Sequence, residues 1–378
     1  MDFSITEEQS ALKDVISRFI DNEYDFERRM KIADGETAFN HEVWNFFVEQ
    51  GFTAIPFSEE DGGLDGGAVE MMLIMKEIGR GLMLEPFLEN IVLAGGILKR
   101  LGTTKQKEQW LGEIINGEIQ ATVAFTEPQS RFNLNDISTT AKKQNNQFII
   151  NGKKSFVPNG ADADLIIVPA RTSGSQSDTH GITLFGVSKE SDGLSFNTYK
   201  TVDGHSATEI TITNVKITAD CVIGNIDEGY DCLEETIDEA TLAICAEAIG
   251  IMRSLHDKTV EYSKNRVQFG IPIGGFQALQ HRMVDNLMAC EQSESLLLWA
   301  VMTDAKNTKN LKKAISGLKY QIGTAGKHVG QEAVQLHGGM GISWELDIAH
   351  LFKRLSALEI LFGNADFHLQ RFIDLSDS

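Results

Sequence analysis

Arg266 is followed by a Gly-broken turn at Phe269-Gly270, by Gly274-Gly275, and by a helix start carrying the amides Gln277 and Gln280. A guanidinium, bare backbone and a helix N-terminus within the nineteen residues Tyr262 to Gln280 form a combination able to bind a pyrophosphate. A surface arginine on a helix-loop-helix hinge is the competing reading. A second Gly-rich segment, Val334 to Gly341, reads VQLHGGMG and equally suits a helix C-cap. Commoner templates fail. Gly339-Met340-Gly341 lacks the third glycine and the strand of a dinucleotide fingerprint, and Gly152-Lys153-Lys154-Ser155 has its lysine misplaced for a P-loop. Gly204-His205-Ser206-Ala207-Thr208 stops short of a nucleophile elbow, and there is no H-E-x-x-H or carboxylate/His cluster for metal catalysis.

The elements that must position these residues fall into three blocks. Up to about residue 120 the apolar residues keep a helical period, broken at Asp61-Gly62-Gly63-Leu64-Asp65-Gly66-Gly67 and at Leu101-Gly102-Thr103-Thr104. Thr6 with Gln9 is a capping box ahead of Leu12, Val15, Ile16, Phe19 and Ile20. From Ala121 to about Gly224 the runs are short and rich in Ile, Val, Thr and Phe, and Ile210 to Val215 alternates as a half-buried strand does. Asn145-Asn146 and Asn151-Gly152 supply turns between such runs. From about Tyr230 the helical period returns in four blocks, Asp238–Arg266, Leu279–Thr303, Leu311–Leu336 and Ala349–Leu375. The fold class is α+β, with a helical domain over 1–120, a β-barrel-like domain over 121–225 and a four-helix bundle over 226–378.

With 378 residues and 42% hydrophobic content the chain can build more than one core, since a single core rarely grows past about 250–300 residues. The charge balance is 34 − 54 = −20, which disfavours nucleic acid and anionic membrane surfaces as partners. The longest uncharged stretches, such as Asn90 to Leu98, are about half of what a bilayer requires. The N-terminus, with an acid at position 2, is not that of a secretory signal. Four cysteines without C-x-x-C spacing fit a reducing cytoplasm better than a disulfide or zinc framework.

Three segments together resemble the acyl-CoA dehydrogenase flavoprotein family over essentially the whole chain. YSKNRVQFGIPIGGFQALQ is similar to its R-x-x-F-G…F-Q…Q signature, VQLHGGMG to its Q-x-x-G-G-x-G turn, and Thr126-Glu127-Pro128, followed by FIINGKKSF and ADLIIVPAR, to its flavin-cradling β-domain. The resemblance implies FAD as cofactor, held through Thr126, Arg266, Phe269, Gln277, Gln335, Gly338 and Gly339. It implies α,β-dehydrogenation of an acyl-CoA thioester, in which a carboxylate takes the α-proton, the β-hydride goes to flavin N5, and hydrogen bonds to the thioester carbonyl favour the enolate-like transition state. Electrons would then pass to an acceptor such as an electron-transfer flavoprotein.

The chain departs from the family pattern where the chemistry is done. The usual base is a Glu before a Gly near the C-terminus, and Phe362 stands in its place before Gly363. Other members carry it on the long helix after the β-domain, at the position of Ala240. Glu239 points about 100° away, whereas Glu247, seven residues on and about 10 Å along the axis, shares the face of Ala240. Glu247 is thus the candidate base, against the alternative of a buried Glu paired inside the bundle. The family's T-E-P-G-A-G-S-D reads Thr126-Glu127-Pro128-Gln129-Ser130-Arg131-Phe132-Asn133 here, and its W-[IV]-[ST] reads Phe156-Val157-Pro158, where proline offers neither N–H nor hydroxyl. What is kept is what such a chain lends a neighbouring subunit. What is lost is what it would use itself. That asymmetry, and a closing stretch similar to the small subunit of pimeloyl-CoA dehydrogenase and related two-component enzymes, implies one subunit of a heteromer. The alternatives are a homo-oligomer, dimer or tetramer, with a displaced base, and a non-catalytic scaffold for acyl-CoA or flavin.

Overall fold

The computed structural model describes residues 5–35, 37 and 39–377, so the first four residues of the supposed non-secretory start lie outside it. Its helices are α1 (Glu7–Glu23), α2 (Phe26–Ala33), α3 (His41–Glu49), α4 (Ala68–Gly81), α5 (Gly95–Leu101), α6 (Thr104–Gln106), α7 (Gly112–Ile115), α8 (Tyr230–Asn265), α9 (Gln277–Val301), α10 (Thr308–His337), α11 (Asp347–Ile360) and α12 (Ala365–Asp377). The strands are β1 (Ala121–Val123), β2 (Thr140–Gln144), β3 (Gln147–Pro158), β4 (Leu165–Arg171), β5 (Ile182–Ser188), β6 (Leu194–Lys200), β7 (Ser206–Thr218), β8 (Val222–Ile223), β9 (Val267–Gln268) and β10 (Ile271–Pro272). They fold into two compact units. One comprises the chain up to Lys31, Ala68–Met83 and the stretch from Thr241 onward; the other comprises Ile32–Gly67 and Leu84–Ala240.

The first unit is helical. Helix α1 begins at the expected capping box, in which the Thr6 hydroxyl accepts from the Gln9 backbone N–H at 3.2 Å and the Thr6 N–H donates to Gln9 Oε1 at 2.9 Å. Its stripe of Ile16, Phe19 and Ile20 is buried. Along α10, Ile315, Leu318, Ile322, Ala325, Val329 and Ala333 recur every three or four residues and are buried. Each such buried Leu or Ile stabilises the fold by about 1.5–3 kcal/mol. Helices α4 and α8 cross at two glycines. A Cβ on Gly79 would lie 2.0 Å from the Glu247 carbonyl oxygen, and one on Gly250 would lie 2.0 Å from that of Lys76, so the crossing demands bare backbone on both helices. The expected block Ala349–Leu375 is two helices. Phe362 at φ 60° and Gly363 at φ 114° take left-handed backbone and break it between α11 and α12.

The second unit is built on an eight-stranded sheet in the order β6-β7-β3-β2-β4-β5-β8, with β1 beside β4. It is not the barrel-like closure expected. Strands β6 and β8 end the hydrogen-bonded path, and β2 meets β4 at the single register pair Thr140–Arg171, so the sheet is pinched rather than closed. One apolar core spans both sides of that pinch, with the Phe148 and Phe185 rings edge to face at 5.1 Å. Ile210 and Ile212 alternate inward as expected, and a register shift opposite Asn214, at φ 53°, then brings Val215 and Ile217 inward as well.

Candidate functional site

Helix α8 gives way after Asn265 to the β9–β10 hairpin. Phe269 at φ 56° and Gly270 at φ 85° form its two-residue turn, the conformation that a right-twisted hairpin prefers, and Phe269 is left 92% exposed. Arg266 anchors the hairpin by its backbone alone: its N–H donates to Tyr262 O at 2.8 Å and its carbonyl accepts from Ile273 N–H at 2.8 Å. The Arg266 side chain is exposed, and among the described residues it makes no ion pair. Gln277 opens α9 and is exposed too, while Gln280 Nε2 donates to Gly274 O at 2.8 Å.

The Gly-rich turn at the end of α10 lies against this segment. The Tyr262 ring stacks on the His337 ring with centroids 4.4 Å apart and planes 29° from parallel. Gly338 follows at φ 60°, its N–H donating to Gln335 O, and a Cβ on either Gly338 or Gly339 would meet only open space. Gln335, Gly338 and Gly339 are all exposed. The fold thus brings together two of the three segments singled out in the sequence. An unpaired guanidinium, two amides and uncovered backbone are the donor set that a diphosphate and its nucleoside require, and these residues fit that half of FAD.

The third segment belongs to the sheet unit. Thr126 is half-buried, and its carbonyl accepts from Ser155 N–H at 2.9 Å, which lays the T-E-P tripeptide along β3. Glu127 is inside, 1% exposed. It accepts from Lys154 Nζ at 2.7 Å, Ser138 N–H at 2.8 Å, Gln129 Nε2 at 2.9 Å and Thr139 N–H at 3.1 Å. Burial pushes the Glu127 carboxyl upward, but Lys154, Ser138 and Gln129 overcome it and hold the group at about 2. Lys154, wholly inaccessible, also donates to Pro169 O at 2.8 Å. Sequence reasoning missed this pair, although the alternation Phe148, Ile150, Lys154 along β3 points the lysine inward.

The flavin-ring side of this loop departs from the family pattern in its residues, and two of them take left-handed backbone. Arg131, at the second glycine position of T-E-P-G-A-G, sits at φ 47°, and Phe156 sits at φ 48°. Side chains therefore occupy conformations that glycine would adopt freely. Pro158 offers no N–H, and its carbonyl already accepts from Thr122 Oγ1 at 2.8 Å. These residues fit the flavin ring less well than the C-terminal segments fit the nucleotide.

At the two usual base positions, Ala240 is fully buried and Phe362 lies in the left-handed turn after α11. Neither side chain can accept a proton. The Phe362 turn is nonetheless firmly built. Buried Lys319 donates to the carbonyls of Leu358, Glu359 and Gly363 at 2.9, 2.8 and 2.8 Å, and His368 Nε2 lies 3.1 Å from Phe362 O. Glu247, the candidate base, is 3% exposed and committed elsewhere, accepting from Arg354 Nε at 2.6 Å and Nη2 at 3.1 Å. The carboxylate is engaged by both arms of a guanidinium inside the bundle, so the geometry favours the ion-paired reading of Glu247 over a base. Glu239 pairs with Arg100.

No helix among the described residues is long and apolar enough to cross a membrane, and no group of three or more His, Cys, Asp or Glu there could hold a metal ion. Three models of one family match in chain order: the acyl-CoA dehydrogenase N-terminal domain over residues 6–118, the middle domain over 122–215 and the C-terminal domain over 227–373. The acryloyl-CoA reductase (NADH) of Anaerotignum propionicum is 27% identical over 374 residues, covering 97% of this chain and 94% of that one. Subunit CarC of the caffeyl-CoA reductase-Etf complex of Acetobacterium woodii is 28% identical over 332 residues, covering 86% and 87%. A solved structure of the steroid acyl-CoA dehydrogenase Tcur3481-Tcur3483 superposes with a TM-score of 0.87 at 25% identity, covering 98% of each chain. Helices, sheet and helical bundle in that order, each matched by its own model, together establish that the chain belongs to the acyl-CoA dehydrogenase family of flavoproteins.

Proposed function

We propose that this chain is one subunit of a heteromeric, FAD-dependent acyl-CoA dehydrogenase. It would lend its nucleotide-binding face to a second acyl-CoA dehydrogenase subunit. One contrast carries the reading. Arg266, Phe269, Gln277, Gln335, Gly338 and Gly339 are all displayed outward, while the base positions hold Phe362 and Ala240 and Glu247 is locked to Arg354. Arg266 would meet the diphosphate, and Gln335 with the Gly338-Gly339 backbone would meet the adenosine side. FAD, when bound, supplies the hydride acceptor. The proton-accepting group comes from the second subunit, and an electron-transfer flavoprotein is the fitting acceptor. The likeness to a subunit of a reductase-Etf complex supports the electron-transfer flavoprotein as partner. The substrate class is an acyl-CoA thioester, and the compartment is the cytoplasm.

The test is to purify the chain alone, then with a co-expressed second dehydrogenase subunit, and record visible spectra. A colourless lone chain and one flavin per pair are expected. Stoichiometric flavin with turnover in the lone chain would overturn the heteromer in favour of a self-sufficient homo-oligomer.

A further inference from the structure

Lys258, Tyr262 and Arg266 are spaced four residues apart on α8 and the turn that ends it, so they form successive rungs of one stripe. The first two rungs are fastened. Lys258 Nζ lies 2.8 Å from Asp347 at the start of α11, and the Tyr262 ring is stacked on His337. The third, Arg266, is free. His337 is 6% exposed and immediately precedes Gly338, while its Nδ1 lies 2.8 Å from Ala333 O and donates to it. Burial pulls its pKa below the usual imidazole value, so the stacked ring is neutral near pH 7. The ring is therefore fixed in plane by a hydrogen bond on one side and a phenol face on the other. Two residues 75 apart in the chain join the hairpin that carries Arg266 to the turn that carries Gly338 and Gly339.

We infer that Tyr262 and His337 are positioning residues, an aromatic clamp that holds the Arg266 guanidinium and the Gly338-Gly339 backbone at the separation needed to grip one diphosphate-bearing ligand, the ADP half of FAD. The inference rests on the reading of this face as an FAD-binding surface. Neither ring has to touch the cofactor. The clamp serves the nucleotide half alone, so its loss weakens FAD and ADP by the same factor. A change on the flavin-ring side, which the second subunit supplies, lowers FAD affinity and leaves ADP unchanged.

The experiment titrates flavin-stripped protein, alone and in complex with its second subunit, with FAD, and with ADP as competitor. Tyr262→Ala and His337→Ala are expected to weaken both ligands about tenfold, since an aromatic pair contributes of order 1 kcal/mol beyond its buried area. Tyr262→Phe keeps the ring and is expected to stay within about twofold of the unmodified chain. If Tyr262→Ala does not fold, Tyr262→Leu keeps the apolar bulk without the ring and carries the test. Unmodified protein that binds FAD and ADP, with alanine or leucine variants that bind them equally well, overturns the clamp and leaves the FAD reading standing. Variants that lose FAD but keep ADP also overturn it. Unmodified protein that binds neither ligand in either form overturns the FAD reading and the clamp with it.

Discussion

Glu247 on α8 and Arg354 on α11 meet as a two-pronged pair, Nε to Oε1 at 2.6 Å and Nη2 to Oε2 at 3.1 Å, with both side chains nearly inaccessible. The pair sits where α4 and α8 cross on bare glycine, so the carboxylate is held at a rigid point of the bundle. Removing one partner takes the two-pronged ion pair away from a buried charge. Glu247→Gln is therefore expected to lower unfolding free energy by about 3–5 kcal/mol, and a double replacement by Leu and Met to recover most of it. Urea denaturation midpoints measure both. A stable Glu247→Gln chain whose complex has lost turnover would instead restore Glu247 as the base.

Glu127 titrates at about 2 in the fold against an ordinary 4.5, so its folded pKa is depressed. The stability it contributes is present above 4.5 and is lost as pH falls from there toward about 2. Burial lowers the pKa of Lys154, which works against the pair, so the net gain is less than the Glu127 shift alone suggests. Glu127→Gln is expected to flatten the acid limb of stability against pH in that window. An unchanged limb would mean that the pair is not coupled to folding.

His368 opens a second acid-sensitive window at higher pH. Burial, with Lys319 nearby, pushes its pKa from 6.5 down to about 3, so the folded chain keeps the ring neutral while the unfolded chain protonates it. Stability is expected to begin falling below pH 6.5 and to keep falling toward about 3. His368→Asn should remove that slope while leaving the Glu127 window intact. Thermal melts at half-unit pH steps resolve the two.

Arg131 carries a left-handed strain that glycine would not. Arg131→Gly is expected to raise stability by about 1 kcal/mol, because an L-residue there costs about 1–2 kcal/mol over glycine. A loss of stability would show that the arginine side chain makes a contact that outweighs the strain.

Local chemistry made much of this legible. The Thr6–Gln9 box, the alternation at Ile210 and Ile212 and the stripe of α10 each depend on neighbours a few residues away, and the structure keeps them. Lys154 was legible too, since the alternation that buries Phe148 and Ile150 buries it and demands a carboxylate nearby. Pairings across the chain were not. Glu247 with Arg354 is separated by 107 residues, and nothing in either local pattern names the other. The open sheet was hidden for the same reason: whether β6 meets β8 depends on strand order and on the single Thr140–Arg171 pair, not on any strand's own residues. The left-handed break at Phe362 runs against residue preference, because a bulky side chain rarely signals that conformation.

We propose that Arg266 is donated to a flavin held with a second subunit. The most direct test is the flavin content of the assembled oligomer in which this chain alone carries Arg266→Ala. Assembly is expected to persist and bound FAD to fall well below one per pair, because an exposed, unpaired guanidinium has been taken from the diphosphate. Full flavin content in that oligomer would contradict the donation.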